Sequence, residues 1–325
     1  MRRGAGRLCD GALAREWVHA RGVPADAPRI RVMHFNALAD CLAKHAPLLG
    51  PRRGFRCTPE ALSWEGRSER IKRELLRYDC DVLGVCEVDH YDDFFAPTLE
   101  PEGYDGAYKR KRSPAKDGVA IFWRRRRLEE ALRRSVFLDR HKGPGSQVAL
   151  LQRLHVPGAV AGQGRNLVVC STHLRASKGD DIRMQQAAEV VSALSDFARG
   201  DPQVILADVN SEAPTGSGSS TVAANTVFEY FQACGYRCAY REVHQSLGGP
   251  VQGDSAFPRF TTWAGWASGD FRSVCDHIFV AGGVQVASVL DVPCERRLAE
   301  TFHERLPNSE YPSDHMSLVA DLALT

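Results

Sequence analysis

No stretch of this chain approaches the ~18 consecutive apolar residues that a membrane-spanning helix needs, so a membrane anchor is not expected. Charge of one sign is lacking as well. Lys and Arg number 42 against 40 Asp and Glu, a formal net charge of +2, so the molecule as a whole is not a polycation that holds nucleic acid by bulk charge. The ten cysteines contain no Cys-x-x-Cys pair, and Cys80, Cys86, Cys170 and Cys275 fall in apolar runs. That suits buried reduced thiols in an intracellular protein better than a disulfide framework. Cys234 and Cys238 have the spacing of one helix face but no second ligand pair, which excludes a zinc site of the usual kind. There is no GxxxxGK[ST], no GxGxxG after a strand, no GxSxG and no HExxH. Phosphate-loop transferases, dinucleotide-fold enzymes, serine hydrolases and zinc proteases therefore find no support. Internal repeats are absent, and the longest biased piece, Gly216 to Ala224, reads as a loop.

What is present is an ordinary globular composition, hydrophobic 43% and charged 25% in 325 residues. One large α/β domain can use that length, and it is expected over 29–325. Residues 1–28 read as an extension, flexible or targeting. They carry Arg2, Arg3, Arg7, Arg15 and Arg21 without an apolar signal core, while Asp10 and Glu16 weigh against an organelle transit peptide. The cytoplasm is the expected compartment, with a mitochondrion or other organelle as the alternative. Basic residues cluster in Lys109-Arg110-Lys111-Arg112 and Arg124-Arg125-Arg126-Arg127. Such runs are either solvated surface or a local attraction for phosphates.

The most informative stretch is Val204-Ile205-Leu206-Ala207-Asp208-Val209-Asn210-Ser211. Its apolar start is too short for a helix and reads as a buried strand. Asp208 and Asn210 end it two residues apart, so a continuing strand points both to one face. A carboxylate and an amide at a strand end suit metal-assisted chemistry on an anion; an Asx-turn closing the strand is the plainer reading. Other apolar runs end the same way. Arg29 to Asn36 ends in Asn36, Asp81 to Cys86 in Glu87, and Asn166 to Cys170 in Ser171-Thr172-His173. The strand Val274 to Val280 is interrupted by Asp276 and His277, and a carboxylate there is costly without a partner. Tyr311-Pro312-Ser313-Asp314-His315 precedes a last strand. Helices are expected over Thr58 to Asp79, Asp180 to Ala198 and Thr226 to Cys234.

Taken in order, Asn36, Glu87, Thr172-His173, Asp208-x-Asn210, Asp276-His277 and Ser313-Asp314-His315 resemble the endonuclease/exonuclease/phosphatase superfamily, from about Arg29 to the C-terminus. Within it the chain looks closest to the carbon-catabolite-repressor-type deadenylases, and among these to the nocturnin branch. Further residues that carry the likeness are Ile30-Arg31-Val32-Met33, Ala61-Leu62-x-Trp64-Glu65-x-Arg67, Glu87-Val88-Asp89-His90-Tyr91, Asp117-Gly118 and Thr261-Thr262-Trp263. The resemblance implies a four-layer α/β sandwich, two mixed β-sheets packed face to face with helices outside. It implies Mg²⁺, or Mn²⁺, as one or two ions, held by Glu87 with Asn36 and Asp314. It implies that Asp208 aligns or deprotonates the attacking water, that Asn210 orients water or phosphate, and that His173 and His315 contact phosphate oxygens. Asp276 would orient His315.

For substrate, the resemblance implies a nucleotide. NADP(H), losing its 2′-phosphate, is favoured slightly over the 3′ end of RNA, with Asp117, Arg175, Lys178 and Arg110 as candidate binding residues. Thr172 to Gly179 favours the first, whereas Ala264-Gly265-Trp266 after Thr-Thr-Trp lacks a basic residue that this branch carries. No leucine-rich repeat is present, so docking into a large deadenylase complex through such repeats is not expected; the sequence does not fix the oligomeric state. Some proteins of this fold have decayed sites and act as RNA-binding modules, but every expected catalytic position here is filled.

Overall fold

The computed structural model describes residues 13–23, 28–45, 54–138, 147–160, 163–176, 180–213, 226–248, 257–293 and 305–325. In chain order the strands are β1 (Trp17–His19), β2 (Arg29–Asn36), β3 (Val82–Val88), β4 (Tyr104–Arg110), β5 (Gly118–Arg124), β6 (Glu129–Leu138), β7 (Gln147–Val160) and β8 (Gln163–His173). They continue as β9 (Gln203–Asp208), β10 (Arg237–Cys238), β11 (Thr262–Trp266), β12 (Gly269–Ser273), β13 (Asp276–Ala281), β14 (Val284–Leu290) and β15 (Leu318–Leu324). The helices are α1 (Asp40–His45), α2 (Pro59–Leu62), α3 (Trp64–Arg77), α4 (Ala96–Leu99), α5 (Asp180–Ala198), α6 (Val227–Ala233) and α7 (Ala239–Ser246).

The strands form a seven-stranded sheet in the order β1-β14-β15-β2-β3-β5-β4 and a six-stranded sheet in the order β10-β13-β9-β8-β7-β6, with β11–β12 as a separate ribbon. Each sheet has a parallel pair at its centre, β2–β3 and β8–β9. These strands are covered on both faces, which is why they read as nearly continuous apolar runs. On their inner faces Val32, Val82, Cys86 and Ile121 share one core with Leu150, Val169, Val204 and Leu206. On the outer face of the larger sheet, Met33, Phe35, Leu83 and Val85 pack with Ile71 and Leu75 of α3. On the other side Phe228 and Phe231 of α6 pack at a tilt around Phe279, and Val190, Leu194 and Phe197 of α5 join the same core. The architecture is the expected four-layer sandwich.

The fold starts earlier than Arg29. β1 pairs antiparallel with β14. The buried Arg15 just before it donates from Nε to the Asp291 carbonyl at 2.7 Å and from Nη1 to the Ser317 carbonyl at 2.8 Å. From Leu13 on, the described residues of the expected extension thus belong to the domain, because Arg15 satisfies carbonyls left open at the ends of β14 and β15. Among the described residues no helix is long and apolar enough to cross a membrane.

The basic runs are mostly absorbed by the fold. Arg124 pairs with Asp79, Arg125 with Asp105 and Arg127 with Asp81, while Lys109 and Arg112 lie over the Phe137 ring.

Candidate active site

Strand alternation puts His34 and Asn36 on the inner face of β2 with Ile30 and Val32, and Asp208 on the inner face of β9 with Leu206. The registers then bring partners alongside, with His173 opposite Asp208 across β8–β9 and Asp276 opposite Asp208 across β13–β9. Glu87 breaks the pattern. Alternation would send it toward the helix layer with Leu83 and Val85. Instead the β3–β5 register shifts between Cys86 and Val88, and Glu87 adopts φ 56°. This bulge re-aims the carboxylate toward Asn36, at a cost of about 1–3 kcal/mol for a non-glycine residue in the left-handed region.

The side chains meet at one rim of the sandwich. Asn36 Nδ2 donates to Glu87 Oε1 at 3.0 Å and to Asp208 Oδ2 at 3.0 Å. Its Oδ1 accepts from the Leu38 amide at 3.0 Å, which fixes which way the amide points. Asp208 Oδ1 accepts from the Asn210 backbone at 2.9 Å. Asn210 Nδ2 donates to the Leu174 carbonyl at 3.1 Å and lies 2.8 Å from His173 Nε2. Since that nitrogen is a donor, His173 accepts at Nε2 and carries its proton on Nδ1. The buried Nδ1 has no partner among the described residues and lies 3.9 Å from Glu87 Oε1. Asp276 Oδ2 accepts from His315 Nδ1 at 2.8 Å and Thr261 Oγ1 at 2.7 Å, and its Oδ1 lies 2.9 Å from His34 Nε2.

Asp314 and His315 sit on a loop pinned from several sides. Ser313 Oγ donates to the Asn36 carbonyl at 2.7 Å, and Trp263 N and Thr262 Oγ1 both donate to the Asp314 carbonyl. The buried Arg67 of α3 donates to the carbonyls of Pro312, Ala37 and Leu38, joining this loop to the one after Asn36.

The electrostatics follow from crowding. Burial, then the charges of Asp117 and Asp314, pushes Glu87 up to about 7. Burial, then Asp276, pushes Asp208 up to about 6, and burial raises Asp314. Burial also favours the neutral forms of Asp276 and His315. Their mutual attraction outweighs it, holding Asp276 well below the ordinary carboxylate range and His315 well above the ordinary imidazole value. His173 is driven the other way, by burial and then by Lys111 and His315.

Carboxylates raised by burial and by neighbouring carboxylates in one place suit a hard divalent cation, which takes oxygen ligands and compensates their charge. Glu87, Asp314 and Asp208 offer such oxygens. Among the described residues Asp208, Cys275 and His315 also place ligand-type atoms within 4.8 Å of one another. That set is a poor match for a hard cation, because Cys275 Sγ and His315 Nδ1 both point at Asp276 Oδ2 and burial holds the thiol protonated.

Some sequence expectations change. Asn36 presents its amide hydrogens to the two carboxylates and its oxygen to the Leu38 amide, so it spaces Glu87 and Asp208 as well as standing beside the expected metal position. Arg110 is exposed and donates to the Ala115 carbonyl of its own hairpin. The cation brought to the site is Lys111, buried and 2.5 Å from Asp117 Oδ2; its phase along the hairpin could not be told from that of its basic neighbours. Arg175 is half-buried, its backbone held by Gln186 and Arg183 of α5, and Lys178 lies outside the described residues. His277 faces away, against Phe228 and Phe279, and Asp89 and His90 serve the structure. Asp89 accepts from the amides of Asp40 and Cys41, and His90 stacks on Trp64. His34 and Thr261 were not foreseen. Only the period of β2, two residues before Asn36, could have flagged His34.

The model of the Endonuclease/Exonuclease/phosphatase family matches residues 33–315. Human nocturnin is 30% identical over 315 residues, covering 93% of this chain and 67% of that protein. Human 2′,5′-phosphodiesterase 12 is 26% identical over 340 residues, covering 94% of this chain and 53% of that protein. The chain spans about two-thirds of the length of the mammalian nocturnins it matches. In three dimensions the human nocturnin catalytic domain with a bound sulfate anion superposes with a TM-score of 0.67 at 26% identity, covering 96% of this chain and 98% of that one. ANGEL2, a 2′,3′-cyclic phosphatase in complex with adenosine-2′,3′-vanadate, has the same fold with a TM-score of 0.73 at 22% identity, covering 97% and 99%. The rim site and these likenesses agree, and the chain belongs to the endonuclease/exonuclease/phosphatase family, whose phosphoesterases and nucleases are generally dependent on a divalent metal.

Proposed function

We propose that this chain hydrolyses a phosphate ester of a nucleotide with a bound Mg²⁺ or Mn²⁺, removing the 2′-phosphate of NADP(H) as the favoured substrate. The observation that carries the reading is the Asn36 bridge, which suspends Glu87 from one sheet and Asp208 from the other at 3.0 Å each. Glu87 and Asp314 would hold the cation, as one or two ions. When bound it supplies Lewis acidity and lowers the pKa of water. Asp208 receives the proton of the attacking water, with its other oxygen fixed by the Asn210 amide. His173 offers a neutral Nδ1–H to a phosphate oxygen, its tautomer set by Asn210. His315, charged and oriented by Asp276, donates from Nε2 to another as charge develops. Lys111, paired to Asp117, adds positive charge beside them, and Arg175 and Lys178 are candidate substrate contacts.

The nocturnin-branch resemblance and the 30% identity to nocturnin support NADP(H). The second reading is 3′–5′ exoribonuclease action on an RNA 3′ end. The relatives named 2′,5′-phosphodiesterase 12 support a diester substrate. Purified protein with Mg²⁺ should release phosphate from NADPH and leave a short oligoadenylate intact; shortening of the oligoadenylate with NADPH untouched would establish the second reading instead.

A further inference from the structure

The buried carboxylate of Asp276 is shared by two imidazoles from opposite sides. His315 Nδ1 lies 2.8 Å from Oδ2, and His34 Nε2 lies 2.9 Å from Oδ1. The side chains of His34 and Asp276 are both 0% exposed. His34 comes from β2 of the larger sheet and Asp276 from β13 of the smaller, so this bond crosses the sandwich. A carboxylate oxygen only accepts, so His34 donates from Nε2 and keeps its lone pair on Nδ1. That Nδ1 is buried and has no partner among the described residues. An unpaired ring nitrogen in an apolar interior is a cost that an aliphatic residue would avoid. Its position among Ile30, Val32 and Asn36 on β2 calls for no polar group.

We propose that His34 is a positioning residue: it clamps Asp276 Oδ1 from the opposite sheet, so that Oδ2 stays aimed at His315 and the His315 ring is held in one rotation. The inference rests on the reading above in which His315 serves the phosphoester. Thr261 already fixes Oδ2 through its hydroxyl at 2.7 Å and receives the Cys275 and Asp276 amides at 3.1 and 3.0 Å. Without His34 the Oδ1 oxygen has no other partner among the described residues, and the plane of the carboxylate is held from the Oδ2 side alone. His315 then loses its alignment although both atoms of the pair remain.

The test is a double-mutant cycle on turnover of NADPH, or of oligoadenylate where that is the compound hydrolysed. His34→Phe fills the space without a donor and should lower kcat about 10- to 100-fold with KM nearly unchanged, the usual scale for partners that orient a catalytic group. His34→Gln restores a donor and should recover most of the loss. In a His315→Ala background His34→Phe should have no further effect, whereas a merely structural role would lower kcat again. If His34→Phe does not fold, His34→Met takes its place. The far-downfield Nδ1 proton of His315, followed by NMR, gives a readout independent of substrate; it should be lost or shifted in His34→Phe and kept in His34→Gln. An unmoved proton, or additive losses in the cycle, would overturn the proposal. A His315→Ala variant with full turnover would overturn the reading of the site itself.

Discussion

Glu87 and Asp208 belong to different sheets, yet their nearer oxygens Oε1 and Oδ2 hang from the two amide hydrogens of Asn36, each at 3.0 Å. Both carboxylates are raised by burial and by their neighbours, to about 7 and about 6. Burial, with Asp117 and Asp314 around one and Asp276 beside the other, makes two negative charges there costly, and the arrangement makes sense when a counter-charge joins the site.

Glu87→Gln therefore separates function from folding. The amide keeps an oxygen for Asn36 Nδ2 and removes a buried charge. Turnover should fall by on the order of a thousand-fold, the scale of losing one preorganised electrostatic group. The melting temperature should hold or rise. Kinetics and thermal unfolding of the same preparation check it, and retained turnover would move the chemistry away from Glu87.

A dependence on pH follows with a definite sign. Glu87 goes from an ordinary 4.5 to about 7 on folding, and Asp208 from 3.8 to about 6. For a raised pKa the stabilising contribution is complete below the unfolded value and is lost as pH rises through the folded one. Metal-free protein should thus lose stability between about pH 4 and pH 7, by up to about 3 kcal/mol from Glu87 at 1.36 kcal/mol for each pH unit. The slope should be shallower in Glu87→Gln. Added Mg²⁺ competes with those protons, so it should raise the melting temperature more at pH 8 than at pH 5.5. Identical slopes for the two proteins in EDTA would refute the assignment.

The strand-end residues were legible because each lies where an apolar run stops, and the central strands are apolar on both faces. The edges were not. β6 carries Glu129, Glu130, Arg133 and Arg134 with its first seven residues exposed, so its strand character comes from pairing with β7 rather than from its own pattern. β1 is three residues long and becomes a strand only beside β14. Glu87 was identified, but its direction was not, because a bulge is invisible to a period of two. His34 was hidden for the opposite reason. It sits in perfect phase within an apolar strand, where its polarity is explained only by Asp276, 242 residues later.

Arg67 gives a prediction about support rather than chemistry. Its donors satisfy the carbonyls of Pro312, Ala37 and Leu38, tying the loop of Asp314 and His315 to the one after Asn36. Arg67→Met would orphan three buried acceptors at about 1 kcal/mol or more each. The melting temperature should drop by on the order of 5–10 °C, and turnover should fall with it. Arg67→Lys should not rescue, since a single ammonium lacks the planar fork that reaches all three. A change within ~1 °C would show that the loops are held by other bonds.

The spacing of the two carboxylates is set lower down, where the sheets touch. Gly84 lies three residues before Glu87 and Leu206 two before Asp208, and a Cβ on Gly84 would lie 2.6 Å from Leu206 Cδ1 and 2.7 Å from its Cβ. No side chain fits there unless β3 and β9 move apart. Gly84→Ala should therefore cost about 1–3 kcal/mol, as overpacking does. Turnover should fall further than stability, because separating the strands stretches the Asn36 bridge. Leu206→Ala alone opens a cavity and should cost about 2–5 kcal/mol. The double variant removes the Cδ1 contact but keeps the Cβ of residue 206 at 2.7 Å from the new methyl, so the overlap is relieved only in part. The two changes touch one another, so their losses should not add; denaturant unfolding should give the pair a smaller loss than the sum, and turnover should recover in part. Additive losses would mean that strand separation at Gly84 does not control the distance between Glu87 and Asp208.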